Sequence, residues 1–258
     1  MEYNINGTKV LHIHLAETDS TNSHARREAS RLWRENSDCE IIAMTADRQT
    51  SGRGQRGTVW QSADRKNLLM TIIVRPTALD VSSYYALSVA TALALIESMQ
   101  TFGLTTTLKW PNDLYCNNCK LAGTLLETDC EGTNVTQAFI GIGLNINQAQ
   151  FEKMSRRPTS MTIETGKIFN IDEIMHTILT KFIEKYTTIT HCNLSTLFNE
   201  YEKSLIGYNV PLLYRDANGE FTATINGVQH NGRILLKCAD GDIRTYSFKE
   251  VENVTLGY

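Results

Sequence analysis

The sequence predicts an α+β fold in two parts, and three observations carry that expectation. Short apolar runs with β-branched residues, such as Asn67 to Val74, are bounded by turn signals in the manner of buried strands. The segment VSSYYALSVATALALIESMQTFG, from Val81 to Gly103, is apolar nearly all round and stops at a glycine, so it reads as a buried helix. From Tyr208 the texture changes: DANG, ING, HNG and ADG recur between short alternating runs, the spacing of a small all-β barrel or sandwich.

The elements follow in order. Val10 to Leu15 alternates as a strand, and Thr18 to Asn22 offers several N-cap candidates before a polar amphipathic helix reaching roughly Asn36. Glu40 to Ala46 is the next strand, and it runs into a glycine loop. After the Asn67 strand and the buried helix, Thr105 to Leu108 leads into KWPND, and Leu121 to Glu127 and Val135 to Ile146 form two more strands separated at Glu131 and Gly132. Helices follow over Ile171 to about Tyr186 and Leu194 to Ile206. The boundary near Ile206 to Asn209 divides the chain into domains 1–206 and 207–258.

With 258 residues and 41% hydrophobic content, the chain is long enough for a sizeable core. A formal net charge of -3 supplies no general attraction for nucleic acid, so a basic site must be local. The N-terminus lacks a basic and then apolar leader, and no run approaches about 18 apolar residues. The expectation is a soluble cytoplasmic protein without membrane or DNA partners. Six scattered cysteines agree with a reducing compartment. Cys116 and Cys119 form a C-x-x-C, but the Asn117-Asn118 pair between them is a tight-turn signature, and no second ligand pair follows for zinc. His12 and His14 share a strand face without an acidic or cysteine partner nearby in sequence, and read as ordinary strand residues.

TSGRGQRGTVW, from Thr50 to Trp60, places Gly52, Gly54 and Gly57 in the G-x-G-x-x-G spacing of a dinucleotide-binding turn. That turn must open a helix, and here a strand follows, which argues against a dinucleotide fold. The loop instead joins approachable backbone N–H groups to Arg53 and Arg56, a combination suited to phosphate oxygens, with Trp60 able to stack on a flat ring. A surface loop with solvated arginines fits equally well. Pro111 turns the chain at KWPND and leaves Asn112 and Asp113 as hydrogen-bonding or Mg²⁺-ligating groups, or as a simple Asx-turn. If the Asn-Asn turn folds Lys120 back beside Asp113, the pair fits a phosphoryl or nucleotidyl transfer site; otherwise it is a hairpin ion pair. GIGLNIN, from Gly141 to Asn147, is a glycine-rich strand end that a ligand can approach, with Asn145 and Asn147 alternating onto one face.

Taken in order, ETDSTN, QTSGRGQRGTVW, LKWPNDLYCNNCKLAGTLLE and GIGLNIN resemble the motifs of the biotin protein ligases over nearly the full chain. The resemblance implies a mixed or antiparallel catalytic sheet of the biotin/lipoate ligase type with helices packed on it, and a C-terminal SH3-like β-barrel. It implies substrates biotin and ATP, the cofactor Mg²⁺, a biotinyl-5'-AMP intermediate, and transfer to one lysine of a biotin carboxyl carrier domain. A homodimer is compatible with it.

Carried over by residue, Ser20, Thr21, Asn22 and Gln49 would bind the biotin ring, and Arg53, Gly54 and Gln55 would close over the ligand. Lys120 would contact the carboxylate and α-phosphate, with Gly123 giving close backbone approach. Gly52, Arg56, Gly57, Trp60, Asn112 and Asn145 would face the nucleotide, Trp60 covering the adenine. Lys120, Arg53 and Asp113 would be catalytic, Asp113 also as the metal-linked residue and as base for the acceptor lysine.

Two departures stand out. Gln55 occupies a position where many members carry Arg, so retention of the intermediate would rest on Arg53 and Arg56. ETDSTN begins at residue 17, which leaves no room for the helix-turn-helix of bifunctional members, and operator binding is not expected. The alternatives are a lipoate or octanoate ligase or transferase, disfavoured by GRGQRGTVW, and a non-catalytic biotin-binding adapter.

Overall fold

Period-two alternation along a few apolar strands decides how the molecule is layered. The structure is a computed structural model describing residues 1–77, 79–152, 157–190 and 193–254, and the side chains of Arg56 and Thr190 lie outside that description. The first part contains β1 (Glu2–Ile5), β2 (Thr8–Thr18), α1 (Thr21–Glu35), β3 (Ile41–Gln49), β4 (Leu68–Val74), α2 (Ala86–Thr101), β5 (Thr107–Lys109), β6 (Asp113–Cys116), β7 (Cys119–Glu131) and β8 (Asn134–Leu144). The helices α3 (Met161–Thr165), α4 (Ile171–Thr190) and α5 (Leu194–Lys203) follow. Then come β9 (Leu212–Asp216), β10 (Gly219–Val228), β11 (Ile234–Cys238), β12 (Ile243–Tyr246) and β13 (Glu252–Asn253).

Eight strands form one sheet in the order β1-β2-β3-β4-β8-β7-β6-β5, in which β2 and β3 are parallel and the other pairs antiparallel. It is the mixed sheet the resemblance implied. Ile41, Ala43, Met70, Ile72, Ile140 and Ile142 point to the face covered by α2, with α4 and α5 packed on α2. Their strand neighbours Ile42, Met44, Ile73 and Phe139 point to the other face, where Ala25, Ala29, Leu32 and Trp33 of α1 meet them. Helix α2 is apolar on all sides because it is enclosed between the sheet, α4 and α5. It starts at Ala86, later than Val81, because Val81–Ser83 forms a separate 3₁₀ turn capped by the Asp80 carboxylate.

The remaining strands form a five-stranded antiparallel sheet, β12-β11-β10-β9-β13. Among the described residues no helix is long and apolar enough to cross a membrane, and the described cysteines are free. Cys192 lies outside the described residues. Asn117 and Asn118 hold φ values of 47° and 61° between the paired Cys116 and Cys119, the left-handed turn read from the sequence. No group of three or more His, Cys, Asp or Glu able to hold a metal occurs among the described residues. The two strand histidines both hydrogen-bond the Thr45 hydroxyl, at 2.8 Å from His12 and 3.1 Å from His14.

The elements missed in the sequence are the short ones: β1, whose four residues pair with β2, and α3, whose single turn is capped by Ser160 accepting from Ile163 N–H.

Candidate functional site

On the α1 face of the sheet, the apolar core ends where the side chains of β8 shrink to glycine. Phe139 is buried against α1, but the next two residues on that face are Gly141 and Gly143. Gly143 pairs with Gly123 on one side and Leu69 on the other, so a bare floor spans β7 and β8 and is edged by Leu69 of β4. Neighbours fill the bareness closely. A Cβ on Gly141 would stand 2.6 Å from Asn22 Oδ1, and one on Gly143 would stand 2.4 Å from the Trp60 indole.

A cleft of about 520 Å³ opens over this floor. Its wall at the start of α1 is a connected polar network. Gln49 Oε1 accepts from Thr21 N–H at 2.8 Å and from the Thr21 hydroxyl at 3.1 Å, so a residue from the end of β3 satisfies a first-turn donor of α1. Ser20 stands at the N-cap, makes no side-chain capping bond, and lines the cleft. The buried Thr71 hydroxyl donates to Asn22 Oδ1 at 2.6 Å, while Asn22 Nδ2 donates to Glu127 Oε2 at 3.1 Å.

The glycine loop continues the wall from the end of β3, with Ser51 N–H bonded to Asp19 O at 2.8 Å. Gly54 N–H donates to Thr58 O at 2.7 Å and Trp60 N–H to Gly52 O at 2.9 Å, closing a small hairpin around the 3₁₀ turn Gln55–Gly57. Its glycines are steric necessities: a Cβ on Gly52 would lie 2.3 Å from Trp60 O, and one on Gly54 2.4 Å from the Thr58 hydroxyl. Arg53, Gly54, Gln55 and Trp60 line the cleft. Gly52 and Gly57, assigned to the nucleotide from sequence, shape the loop and do not line it. The Arg56 side chain lies outside the described residues. Trp60 rests on Gly143 and Gly123, and Trp60 Nε1 is buried with no hydrogen-bond partner among the described residues.

KWPND is held from several directions. Trp110 Nε1 donates to Gly232 O at 3.0 Å, and its ring meets Phe248 edge-on at 6.2 Å, both partners coming from turns between strands of the second sheet. The Pro111 carbonyl accepts from the buried hydroxyls of Tyr85 and Tyr201. Burial pushes both phenols well up, so they stay protonated donors. Asn112 Nδ2 donates to Thr124 O, and Thr124 N–H returns a bond of 3.0 Å to Asn112 O. So fixed, Asp113 at the start of β6 is 5% exposed, and the Asn-Asn hairpin brings Lys120 Nζ to 2.7 Å from its Oδ1. Lys120 N–H and C=O are themselves tied to Arg157 O and Thr159 N–H. The pair lies inside the cleft, not on an exposed hairpin, with Lys120 Nζ 5.6 Å from the centre of the Trp60 ring.

Asn145 also lines the cleft, its Nδ2 donating to Thr159 O at 2.9 Å and its buried Oδ1 without a partner among the described residues. Asn147 departs from the shared face expected of it. The strand ends at Leu144, and Asn147 Oδ1 turns to Thr162 and Phe169 N–H, fixing the chain after α3.

The sequence reading missed three residues in two places. Phe248 and Lys249, from the turn before β13, line the cleft beside Asn112 and Asp113 and also wall an adjoining cavity of about 610 Å³. Glu127 accepts from Arg53 at 2.9 Å and 3.3 Å, just outside the cleft. Both needed tertiary proximity, for which no local pattern signals.

The geometry unites a glycine floor, a lysine–aspartate pair and the Arg53 loop, an arrangement suited to bringing an anion against a phosphate. Comparison with known proteins agrees. The chain is 28% identical over 244 residues to the bifunctional ligase/repressor BirA of Bacillus spizizenii, covering 93% of this chain and 74% of that protein. It is 28% identical over 237 residues to the biotin–[acetyl-CoA-carboxylase] ligase of Paracoccus denitrificans, covering 86% and 92%. Its fold matches the biotin protein ligase of Aquifex aeolicus in complex with biotin and ATP, with a TM-score of 0.76 and 23% identity, covering 94% of this chain and 99% of that one. Residues 17–145, from ETDSTN through Asn145, match the model of the biotin/lipoate A/B protein ligase family, and the chain belongs to that family.

Proposed function

We propose that this chain is an ATP-dependent biotin protein ligase. A biotin carboxylate oxygen attacks the α-phosphorus of ATP, expelling pyrophosphate and forming biotinyl-5'-AMP. The neutral ε-amine of a carrier lysine then attacks the acyl carbon, and AMP leaves. The observation that carries this reading is the convergence of four separate motifs on one cleft with Lys120 Nζ inside it. The Paracoccus relative, named as a biotin–[acetyl-CoA-carboxylase] ligase, supports the choice of biotin.

In this reading Ser20, Thr21, Asn22 and Gln49 hold the biotin ring, whose ureido group needs both donors and acceptors; Gln49 is bonded to Thr21, and the Thr71 hydroxyl links Thr21 to Asn22. Two anions must meet in the first step, so Lys120 and Arg53 offset their repulsion, and Lys120 contacts both the carboxylate and the α-phosphate. Gly123 gives the reacting atoms close backbone approach, while Gly141 and Gly143 let Asn22 and the Trp60 ring lie down on the sheet. Trp60 covers the adenine, and the orphan Oδ1 of Asn145 offers an acceptor to the nucleotide. Gly54 and Gln55 close the loop and keep water from the mixed anhydride.

Asp113 is the carboxylate that would hold Mg²⁺, its Oδ1 being the oxygen paired with Lys120. This fits an ion that takes one or two carboxylates and completes its shell from substrate phosphates and water, and when bound it neutralises phosphate charge. Asp113 also accepts the proton of the acceptor amine. The acceptor is a biotin carboxyl carrier domain, as the name of the Paracoccus relative suggests. Residues 1–206 act as the catalytic domain and 207–258 as an SH3-like domain, a division supported by all five strands of the second sheet falling after Ile206.

Pyrophosphate exchange into ATP, run separately with biotin, lipoate and octanoate, tests the reading. Exchange with biotin alone is expected; exchange driven by lipoate alone overturns it.

A further inference from the structure

Arg53 is the cleft-lining cation of the glycine loop, yet its guanidinium is bound to the protein itself. Arg53 reaches from the loop to β7, where its two terminal nitrogens meet the two oxygens of Glu127 at 2.9 Å and 3.3 Å, with a further bond of 3.2 Å to the Ser23 hydroxyl. Glu127 Oε2 also accepts from Asn22 Nδ2, and Asn22 Oδ1 is taken by Thr71. One carboxylate therefore joins the loop to the first turn of α1. Glu127 stands on the strand face that carries Gly123 and Leu125, is 21% exposed, and does not line the cleft.

We propose that Glu127 is a positioning residue that straps the glycine loop to the first turn of α1 and sets the orientation of the Asn22 amide toward the biotin ring. The proposal rests on the ligase reading for Asn22 but not for the loop. Three N–H donors converge on Glu127, two from Arg53 and one from Asn22, so the position requires an acceptor at both ends. Glutamine has nearly the same size and offers an N–H at one end, which opposes a donor wherever the amide is turned. Charge-assisted bonds of this bidentate kind are also the stronger ones, and they tie the loop tip to β7, whereas the backbone bonds of Thr50 and Ser51 to Thr18 and Asp19 hold only its first residues.

The experiment compares Glu127→Gln and Glu127→Asp with the unaltered protein by two readouts. The first is limited trypsin digestion of ligand-free protein, scored by mass spectrometry for cleavage after Arg53. The second is KM for biotin and kcat in pyrophosphate exchange. Glu127→Gln is expected to speed that cleavage and to raise KM for biotin by about 10-fold, with kcat within about 3-fold. Glu127→Asp, which keeps both acceptors on a shorter arm, recovers part of each change. Unchanged cleavage and KM overturn the proposal, as does a fall in kcat at constant KM. If no biotin-dependent exchange occurs in any protein, the ligase reading fails, while the digestion still decides whether Glu127 holds the loop.

Discussion

Replacing Gly143 with alanine adds one methyl group at the centre of the cleft floor. Its backbone is not in the left-handed region, so alanine fits the strand without conformational cost. The methyl would stand 2.4 Å from the Trp60 indole, whereas ordinary contact begins near 3.4 Å, so the ring must retreat by about 1 Å. Trp60 sits on a loop at the cleft edge and is only partly buried, so the ring can move without opening the core. Thermal stability is therefore expected to fall by less than about 1 kcal/mol, below the usual cost of overpacking a closed core. Misplacing a group that covers the adenine by this distance costs catalysis about 100-fold. Biotin-dependent pyrophosphate exchange measures the loss, and a melting curve on the same sample controls for folding. A folded Gly143→Ala protein exchanging within about 3-fold of the parent would refute the assignment of floor and ring to the nucleotide.

Three further outcomes are expected. Lys120→Ala removes the cation 2.7 Å from Asp113 and should lower exchange by about 100- to 1,000-fold, measured against a melting curve that shows the protein folded. Asn118 holds φ at 61°, so Asn118→Val should destabilise by about 1–2 kcal/mol in urea unfolding, while Asn118→Gly stays within about 0.5 kcal/mol. Burial, aided by the N-terminal ammonium, lowers the His12 pKa from 6.5 to about 4. The unfolded chain thus binds a proton that the folded one refuses, so this contribution is complete above pH 6.5 and is lost as pH falls toward 4, by at most about 3 kcal/mol. His12→Gln should flatten stability over that window, and an unchanged profile would remove His12 as the cause.

Most of what local patterning controls was legible. The near-continuous apolar runs Ile41–Met44 and Leu68–Val74 mark strands buried on both faces, and Asn117-Asn118 marks the hairpin that returns Lys120 to Asp113. The glycines of GIGLNIN signalled close approach, but what approaches them, Asn22 on Gly141 and Trp60 on Gly143, depends on elements far away in the chain. Glu127 reads in sequence as one more polar residue near a strand end, and its meaning appears only when Arg53 and Asn22 arrive beside it. Phe248 and Lys249 were illegible for a similar reason, since the second sheet is docked by Trp110, whose partners Gly232 and Phe248 follow by more than a hundred residues. Asn147 shows the opposite error: strand periodicity was extended past Leu144, where the strand had already ended.

The central claim, that this cleft joins biotin to ATP and passes the product to a protein lysine, is tested most directly by incubating the chain with a biotin carboxyl carrier domain, ATP, Mg²⁺ and biotin, then probing the carrier with streptavidin. The account predicts ATP-dependent labelling of a single carrier lysine, lost with Lys120→Ala. A carrier that stays unlabelled while the chain binds biotin, or that is acylated only when lipoate replaces biotin, would contradict it.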